Sequence, residues 1–309
     1  MLEESVDLVL SGRALGSGAT IVDATFGAGG HTKEILSRHP SGRVIALDAD
    51  PAAVARAVEL SNRYPGRLTA VHANFAELDE ALEGVGVDGV DGILYDLGLS
   101  SIQLADTERG FSFAGDEPLD MRLDPTSDDP TAADLLNTMS ERELADLIHA
   151  SGDERFARRI AHQIVTRRAR SPLKRTSDLV AAVLTARPRG AVRGKIHPAT
   201  RTFQALRMVV NRDVERLERG LAAARRRLRA GARAVVISYH SGEDRTVKRE
   251  FRRWEHDGLA TVLTRKPLTP TPEEIKSNPR SRSAKLRAAE RREPGSTTPH
   301  EIMEDRRWR

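Results

Sequence analysis

The sequence predicts an α/β protein: an open, Rossmann-like, mostly parallel sheet covered by helices, with a smaller helical domain inserted into it. Three observations carry that expectation. Short Val/Ile/Leu runs alternate with helical patterns over the first hundred residues. A glycine-rich turn joins the first run to the first helical pattern, and a long helical stretch separates the fourth run from the fifth.

The runs Thr20–Ala24, Arg43–Leu47, Leu68–His72 and Gly92–Asp96 read as buried parallel strands. Between them, Thr32–Arg38 and Pro51–Asn62 place apolar residues at helical spacing, as parallel crossovers require. Ala234–Ser238 has the same strand character, and Ala260–Leu263 offers a further short run. From Asp96 to Arg233 is 137 positions, far more than the roughly dozen residues a crossover needs. One helix over Thr202–Arg229, closed by Gly231 as a C-cap, takes up part of the excess. The rest, Leu104–Ile196, carries helical patterns at Ala132–Leu136, Glu141–Ala150, Asp153–Arg167 and Thr176–Thr185. The expected division is therefore residues 1–103 with 197–309 for the sheet domain, and 104–196 for an inserted helical domain. Such an insert would wall a site at the carboxyl ends of the strands and meet the substrate there. Lys266–Pro272, Ser277–Ser283 and Glu293–Pro299 are rich in Pro, Ser and Thr and are expected as loops, with a frayed basic end through Arg309.

Composition narrows the function. The 309 residues, 39% hydrophobic and 30% charged, suffice for one large or two ordinary domains with real cores. With no cysteine, disulfides, thiolate metal sites and cysteine nucleophiles are excluded, and no metal site is expected. No apolar run reaches the roughly 18 residues of a membrane span. The acidic start Met1-Leu2-Glu3-Glu4 does not read as a signal peptide, so a cytoplasmic protein without membrane association is expected. The net charge of +4 conceals an asymmetry: residues 1–150 carry 10 Lys/Arg against 27 Asp/Glu, and residues 151–309 carry 39 against 18. A basic half points to a polyanionic partner, with nucleic acid first. The plainer alternative is a solvated Arg-rich surface, and Arg225–Arg229 reads as a solvated helix end.

The most informative stretch is Val22-Asp23-Ala24-Thr25-Phe26-Gly27-Ala28-Gly29-Gly30-His31. Strand, glycine turn and helix let the backbone approach a nucleotide-like ligand with no Cβ in the way. Asp48 follows Gly27 by 21 positions at the end of the second strand, where a carboxylate can accept both ribose hydroxyls. Thr32 stands where a dinucleotide fingerprint has its third glycine, which favours an adenosine ligand without pyrophosphate, such as S-adenosylmethionine. A purely structural turn is the competing reading. Phe75, after the third strand, can pack on an adenine, although an aromatic there is more often core than ligand contact. Asp96 ends the fourth strand ahead of a small-residue loop, placed either to accept from an exocyclic amine or only to cap a helix.

Seven ordered stretches then carry a family resemblance: D-A-T-F-G-A-G-G-H-T, D-L-G-L-S-S, E-R-G-F-S-F (Glu108–Phe113), P-L-D-M-R-L-D (Pro118–Asp124), H-P-A-T-R-T-F-Q-A-L-R (His197–Arg207), S-Y-H-S-G-E-D-R (Ser238–Arg245) and R-S-R-S-A-K-L-R (Arg280–Arg287). Together they resemble the bacterial small-subunit (16S) ribosomal RNA cytosine-N4 methyltransferase family, MraW or RsmH. The resemblance implies an S-adenosylmethionine-dependent enzyme that methylates one cytidine of 16S rRNA near the decoding centre, within the small ribosomal subunit. A homodimer is compatible with it. Carried onto this chain, the cofactor contacts fall on Gly29, Gly30, His31, Asp48, Phe75, Asp96 and Gln103, with Asp96 as the catalytic residue. Three departures stand out. The chain begins after the family's usual His-Thr/Val-Pro-Val opening, which implies an upstream start or a trimmed one; Ile102 replaces a frequent Pro and Gly242 a frequent Leu.

The substrate side is read from Arg109 and Arg122 in the insert, from His197, Arg201 and Arg207 around the start of the long helix, and from His240 and Arg245 after the fifth strand. A helix N-terminus with nearby arginines attracts phosphate. His240 reads equally as a general base or as a hydrogen-bonded structural histidine. Arg280, Arg282, Lys285 and Arg287 read as a flexible basic segment able to follow RNA. Three rivals remain at this level: an NAD-dependent oxidoreductase, an N-methyltransferase of another RNA or DNA base, and a non-catalytic RNA-binding protein on the same scaffold. Thr32 and the basic half oppose the first. Leu97-Gly98-Leu99, in place of a Pro-Pro-aromatic, opposes a DNA enzyme, and intact glycines and acids oppose degeneration.

Overall fold

In the computed structural model, which describes residues 1–113, 115–188 and 197–293, the apolar runs become strands of one sheet. In chain order the first elements are α1 (Leu2–Leu10), β1 (Thr20–Asp23), α2 (Gly30–Arg38), β2 (Arg43–Asp48), α3 (Pro51–Ser61), β3 (Leu68–His72), α4 (Leu78–Gly84) and β4 (Val90–Asp96). Helices α5 (Ser101–Ala105), α6 (Ala132–Thr138), α7 (Glu141–Gly152), α8 (Ala157–Arg168), α9 (Thr176–Ala186) and α10 (Thr200–Val210) follow. The chain then returns through α11 (Asp213–Arg227), β5 (Leu228–Ser238), α12 (Ser241–His256), β6 (Ala260–Val262), α13 (Pro272–Ser277) and β7 (Lys285–Arg291). Two units result: Met1–Gly98 with the segment from Val214 onward, and Leu99–Asp213.

The first unit holds the sheet, in the order β3-β2-β1-β4-β5-β7-β6. β1 to β5 run parallel, and β7 is antiparallel to both β5 and β6. Its faces are buried by separate helix layers, one with Leu78, Leu82, Leu217, Leu221, Phe251 and Trp254, the other with Val6, Val9, Ile35, Leu36, Ala53 and Leu60. Burial on both faces is why the strands read as continuous apolar runs rather than alternating ones.

The second unit is helical, with a core of its own that includes Leu136, Leu144, Ile148, Ile160, Leu179 and Leu206. It extends beyond the expected 104–196 because α10 belongs to it: Phe203, Ala205 and Leu206 are buried in that core. The expected single helix Thr202–Arg229 is thus two helices, α10 and α11. At the break, Arg212 takes φ +48°. The Asn211 amide donates to Met121 O (2.7 Å) and Arg207 O (2.9 Å), and its Oδ1 accepts from Leu123 N (2.7 Å). Gly231 is no cap; it lies inside β5 with φ +78°, where an added Cβ would come within 2.9 Å of Ala14 N.

Other expectations change near the end of the chain. The segment expected as a flexible basic tail contains β7, a strand paired on both edges. Arg287 is buried there, donating to Asp244 Oδ1 at 2.7 Å. The expected loop Lys266–Pro272 is irregular as far as Thr271, the short helix Pro272–Ser277 separates it from the second expected loop, and Pro279–Ser283 of that second loop forms 3-10 turns; residues 294–299 and the basic end lie outside the described residues. The Arg225–Arg229 run keeps Arg226 and Arg229 exposed, as a solvated end would, but it is also ion-paired: Arg226 and Arg227 grip Asp79, Arg227 reaches Glu83, and Arg229 pairs with Asp91 at 2.9 Å. No helix among the described residues is long and apolar enough to cross a membrane.

Candidate active site

At the carboxyl ends of β1, β2 and β4, three carboxylates gather around the glycine turn. Asp23 is fully buried, accepting from Thr32 Oγ1 at 2.6 Å and Thr25 N at 3.3 Å. Thr32, which breaks the dinucleotide pattern, is therefore a buried partner of Asp23. Desolvation raises the Asp23 pKa against the opposing pull of His31 and Thr32.

Asp48 braces the turn. Its Oδ2 accepts from Gly27 N at 2.7 Å and its Oδ1 from Asp50 N at 2.9 Å. Burial pushes its pKa up to about 6 in spite of those two donors. Gly29, with φ +77°, begins α2 as its N-cap, and a Cβ there would lie 2.7 Å from Phe26 Cζ. At Gly30 a Cβ would meet nothing within 4 Å, so the turn opens on free space.

Asp96 draws its partners from three separate segments of the chain. Its N–H donates to Thr25 Oγ1 at 2.7 Å, and its Oδ1 accepts from the Tyr239 hydroxyl at 2.9 Å. His31 Nδ1 stands 3.7 Å from its other oxygen. Burial raises the Asp96 pKa, while His31 and the Tyr239 hydroxyl pull it back. The side chain keeps 30% of its surface exposed, so it is open to a ligand. The Tyr239 phenol is in turn raised by burial and by Asp96, and stays protonated. His31 Nε2 is buried with no hydrogen-bond partner among the described residues.

Phe75 opens the short 3-10 turn after β3, with its ring edge-on to Tyr95 at 5.7 Å and closely apposed to Gly220. One side of the ring is thus committed to the core. His240 is the N-cap of α12: Nδ1 accepts from Glu243 N at 3.3 Å, and Nε2 lies 2.8 Å from Glu243 Oε1. In this arrangement it serves the helix. Arg245, on the same helix, is exposed and makes no ion pair among the described residues.

The other sequence candidates lie in the helical unit, where most serve its internal order. Gln103 is buried and forms a capping box with Ser100 on α5. Arg109 is buried, donating to the carbonyls of Arg122 (2.9 Å) and Leu123 (2.7 Å) and lying over the Phe111 ring. That placement ties it to the fold and away from a phosphate. Arg122 forks onto Asp120 at 2.9 and 2.8 Å. His197 is exposed, stacks on Phe113 at 4.4 Å between centroids, and accepts from Ala199 N at its Nδ1, 3.2 Å away. Arg201 is exposed and donates to Asp153 O at 2.9 Å, whereas Arg207 pairs with Asp213 at 3.2 Å.

The sequence profile of the MraW methylase family matches residues 1–292. The chain belongs to that family. Similar proteins include the ribosomal RNA small subunit methyltransferase H of Thermomicrobium roseum, 53% identical over 290 residues, covering 89% of this chain and 88% of the relative. The protein of the same name from Geotalea uraniireducens is 47% identical, covering 89% and 93%. That of Mycolicibacterium paratuberculosis is 46% identical, covering 92% and 78%. In this MraW-family methylase, the residues that sequence reasoning passed over are Tyr239, Thr25 and Asp23. Tyr239 stood inside a quoted motif, but only the folded sheet brings its hydroxyl to Asp96.

Proposed function

We propose that this chain methylates the exocyclic N4 of one cytidine in 16S ribosomal RNA, near the decoding centre, with S-adenosylmethionine as methyl donor. The single observation that carries the chemistry is Asp96, a partly exposed carboxylate at a strand end, oriented by Tyr239 and flanked by His31. The relatives' name supports the RNA class.

The turn fits the donor nucleoside. Open space above Gly30, an unpartnered buried Nε2 on His31 and the raised carboxyl of Asp48 suit a ligand bringing hydroxyl and amino groups. On this reading Gly29, Gly30 and His31 hold one end of the donor, Asp48 accepts from its ribose, and Phe75 packs on its base. S-adenosylmethionine bound there supplies an electrophilic methyl group. The chain then needs no nucleophile of its own.

Asp96 works on the acceptor. The N4 lone pair of cytosine is delocalised into the ring, which makes the amine a weak nucleophile. A carboxylate accepting from its N–H favours a more pyramidal nitrogen and stabilises the positive charge that develops there. Tyr239 fixes which oxygen faces outward, and His31 helps hold the group ionised against its burial. Once the new N–C bond has formed, the surplus N–H proton leaves to Asp96 or to water. The target base has to leave its stack to come within reach.

Labelled methyl transfer to undermethylated small subunits and, separately, to their purified RNA, followed by nucleoside analysis, tests this reading. N4-methylcytidine is the expected product. Label on a different nucleoside would overturn the Asp96–cytosine chemistry.

A further inference from the structure

We infer that a recess beside α12, lined by Lys248, Arg252 and Arg265, is a docking site for RNA phosphate groups outside the Asp96 cleft. It rests on the RNA-methylase reading above. The recess encloses about 230 Å³, with Phe251, Val262 and Thr264 also in its walls. Two further charged side chains line it and are already engaged. Arg287 is turned onto Asp244 at 2.7 Å, and Glu255 accepts from Val262 N at 3.1 Å.

What distinguishes these three cations is that they line one recess together and none of them has a carboxylate partner among the described residues. Elsewhere in the basic half, Arg226 and Arg227 hold Asp79, Arg229 holds Asp91, Arg233 holds Glu290 and Arg249 holds Glu218. Among the described residues Lys248, Arg252 and Arg265 make no ion pair and no side-chain hydrogen bond, although they share one small concavity. Lys248 and Arg252 are four residues apart on α12, a spacing at which like charges repel. Arg265 adds a third positive charge from the segment after β6. An anion seated among them relieves that repulsion.

A polyanionic strand suits the place. Helix α12 starts at Ser241, two residues after Tyr239, which touches Asp96. At about 1.5 Å per residue, Lys248 and Arg252 lie roughly 10 and 16 Å along the helix from that start. RNA with one base in the cleft can therefore lay neighbouring phosphates along α12.

The test is the double variant Arg252→Gln with Arg265→Gln; both residues are exposed and outside the active site. Methyl transfer to undermethylated small subunits is followed as kcat and KM, and binding of protein-free 16S RNA as a function of salt. The expected result is a KM raised about tenfold, kcat within twofold of the parent, and a log–log salt slope shallower by about 1.5, as loss of two phosphate contacts requires. Unchanged KM and slope would overturn the proposal. So would weakened use of subunits with unchanged binding of protein-free RNA, since the partner would then be a ribosomal protein. The RNA-binding arm is independent of transfer, so a parent enzyme that binds RNA without making N4-methylcytidine defeats the functional reading and leaves this one standing.

Discussion

The Tyr239 hydroxyl donates to Asp96 Oδ1 at 2.9 Å, joining the residue just past the end of β5 to the last residue of β4. A hydrogen bond to a charged acceptor contributes about 1.5–3 kcal/mol, and this one favours the ionised carboxylate. Tyr239→Phe removes it, so the Asp96 pKa rises further. The acid limb of the methyl-transfer rate should move to higher pH by about one unit, with donor affinity nearly unchanged. A pH–rate profile of the two proteins checks this.

Asp96 itself separates chemistry from binding. Asp96→Ala should lower kcat by about 10²–10³, the cost of removing one preorganised electrostatic partner of a developing charge. Affinity for the donor, measured by calorimetry, should fall much less. Equal losses would make Asp96 a donor ligand only.

Asp48 titrates at about 6 in the folded protein, against an ordinary carboxyl value of 3.8. Its native state binds the proton more tightly than the unfolded chain does, so the sign is opposite to that of a salt-bridged acid. Stability should fall as pH rises from about 4 to 6, by up to ~3 kcal/mol from this group. Donor hydroxyls need the ionised form. Affinity for S-adenosylhomocysteine should therefore weaken about tenfold per pH unit below 6, and Asp48→Asn should flatten that dependence.

The two glycines of the turn should respond differently to alanine. Gly29→Ala forces a Cβ onto a residue at φ +77° and within 2.7 Å of Phe26, so the fold should lose about 1–3 kcal/mol. Gly30→Ala places its methyl in open space, leaving stability within about 1 kcal/mol of the parent. That methyl occupies the cradle, so donor affinity should drop at least tenfold. Thermal unfolding set beside calorimetry distinguishes the two.

Arg287 belongs to stability rather than to RNA. Burial pushes the Asp244 carboxyl up, but Arg287 and Lys285 outweigh it and hold it below its ordinary value. Arg287→Ala leaves Asp244 without its buried partner and should cost about 3–5 kcal/mol in urea unfolding. Folded variant that remains should show the parent salt dependence of RNA binding.

Much of the sheet unit is legible in the residues. Continuous Val/Ile/Leu runs bounded by turns mark β1 to β4 to within two residues, and the glycine turn with Asp48 and Asp96 marks the cleft. Lys285–Arg291 is not legible as a strand. Its apolar positions are mostly small, and its charges suggest a solvated tail until Arg287 meets Asp244, and Glu290 meets Arg13 and Arg233. Those partners lie from 43 to 277 positions away. The same distance effect hides the break at Asn211, whose partner carbonyl on Met121 is 90 positions back.

By itself, then, the sequence determined the parallel sheet, the existence of a helical insert, the glycine turn and the family, because periodicity, turn chemistry and ordered motifs are local and survive without coordinates. Only the tertiary structure decided which charges are spent on the fold and which stay available. Arg109, Arg226, Arg227 and Arg287 are taken up by carbonyls and carboxylates of the fold, whereas Lys248, Arg252 and Arg265 are left facing one recess. A charge looks the same along the chain wherever it ends up. Its partner is chosen in space, where burial makes an unpaired charge costly and a paired one tolerable.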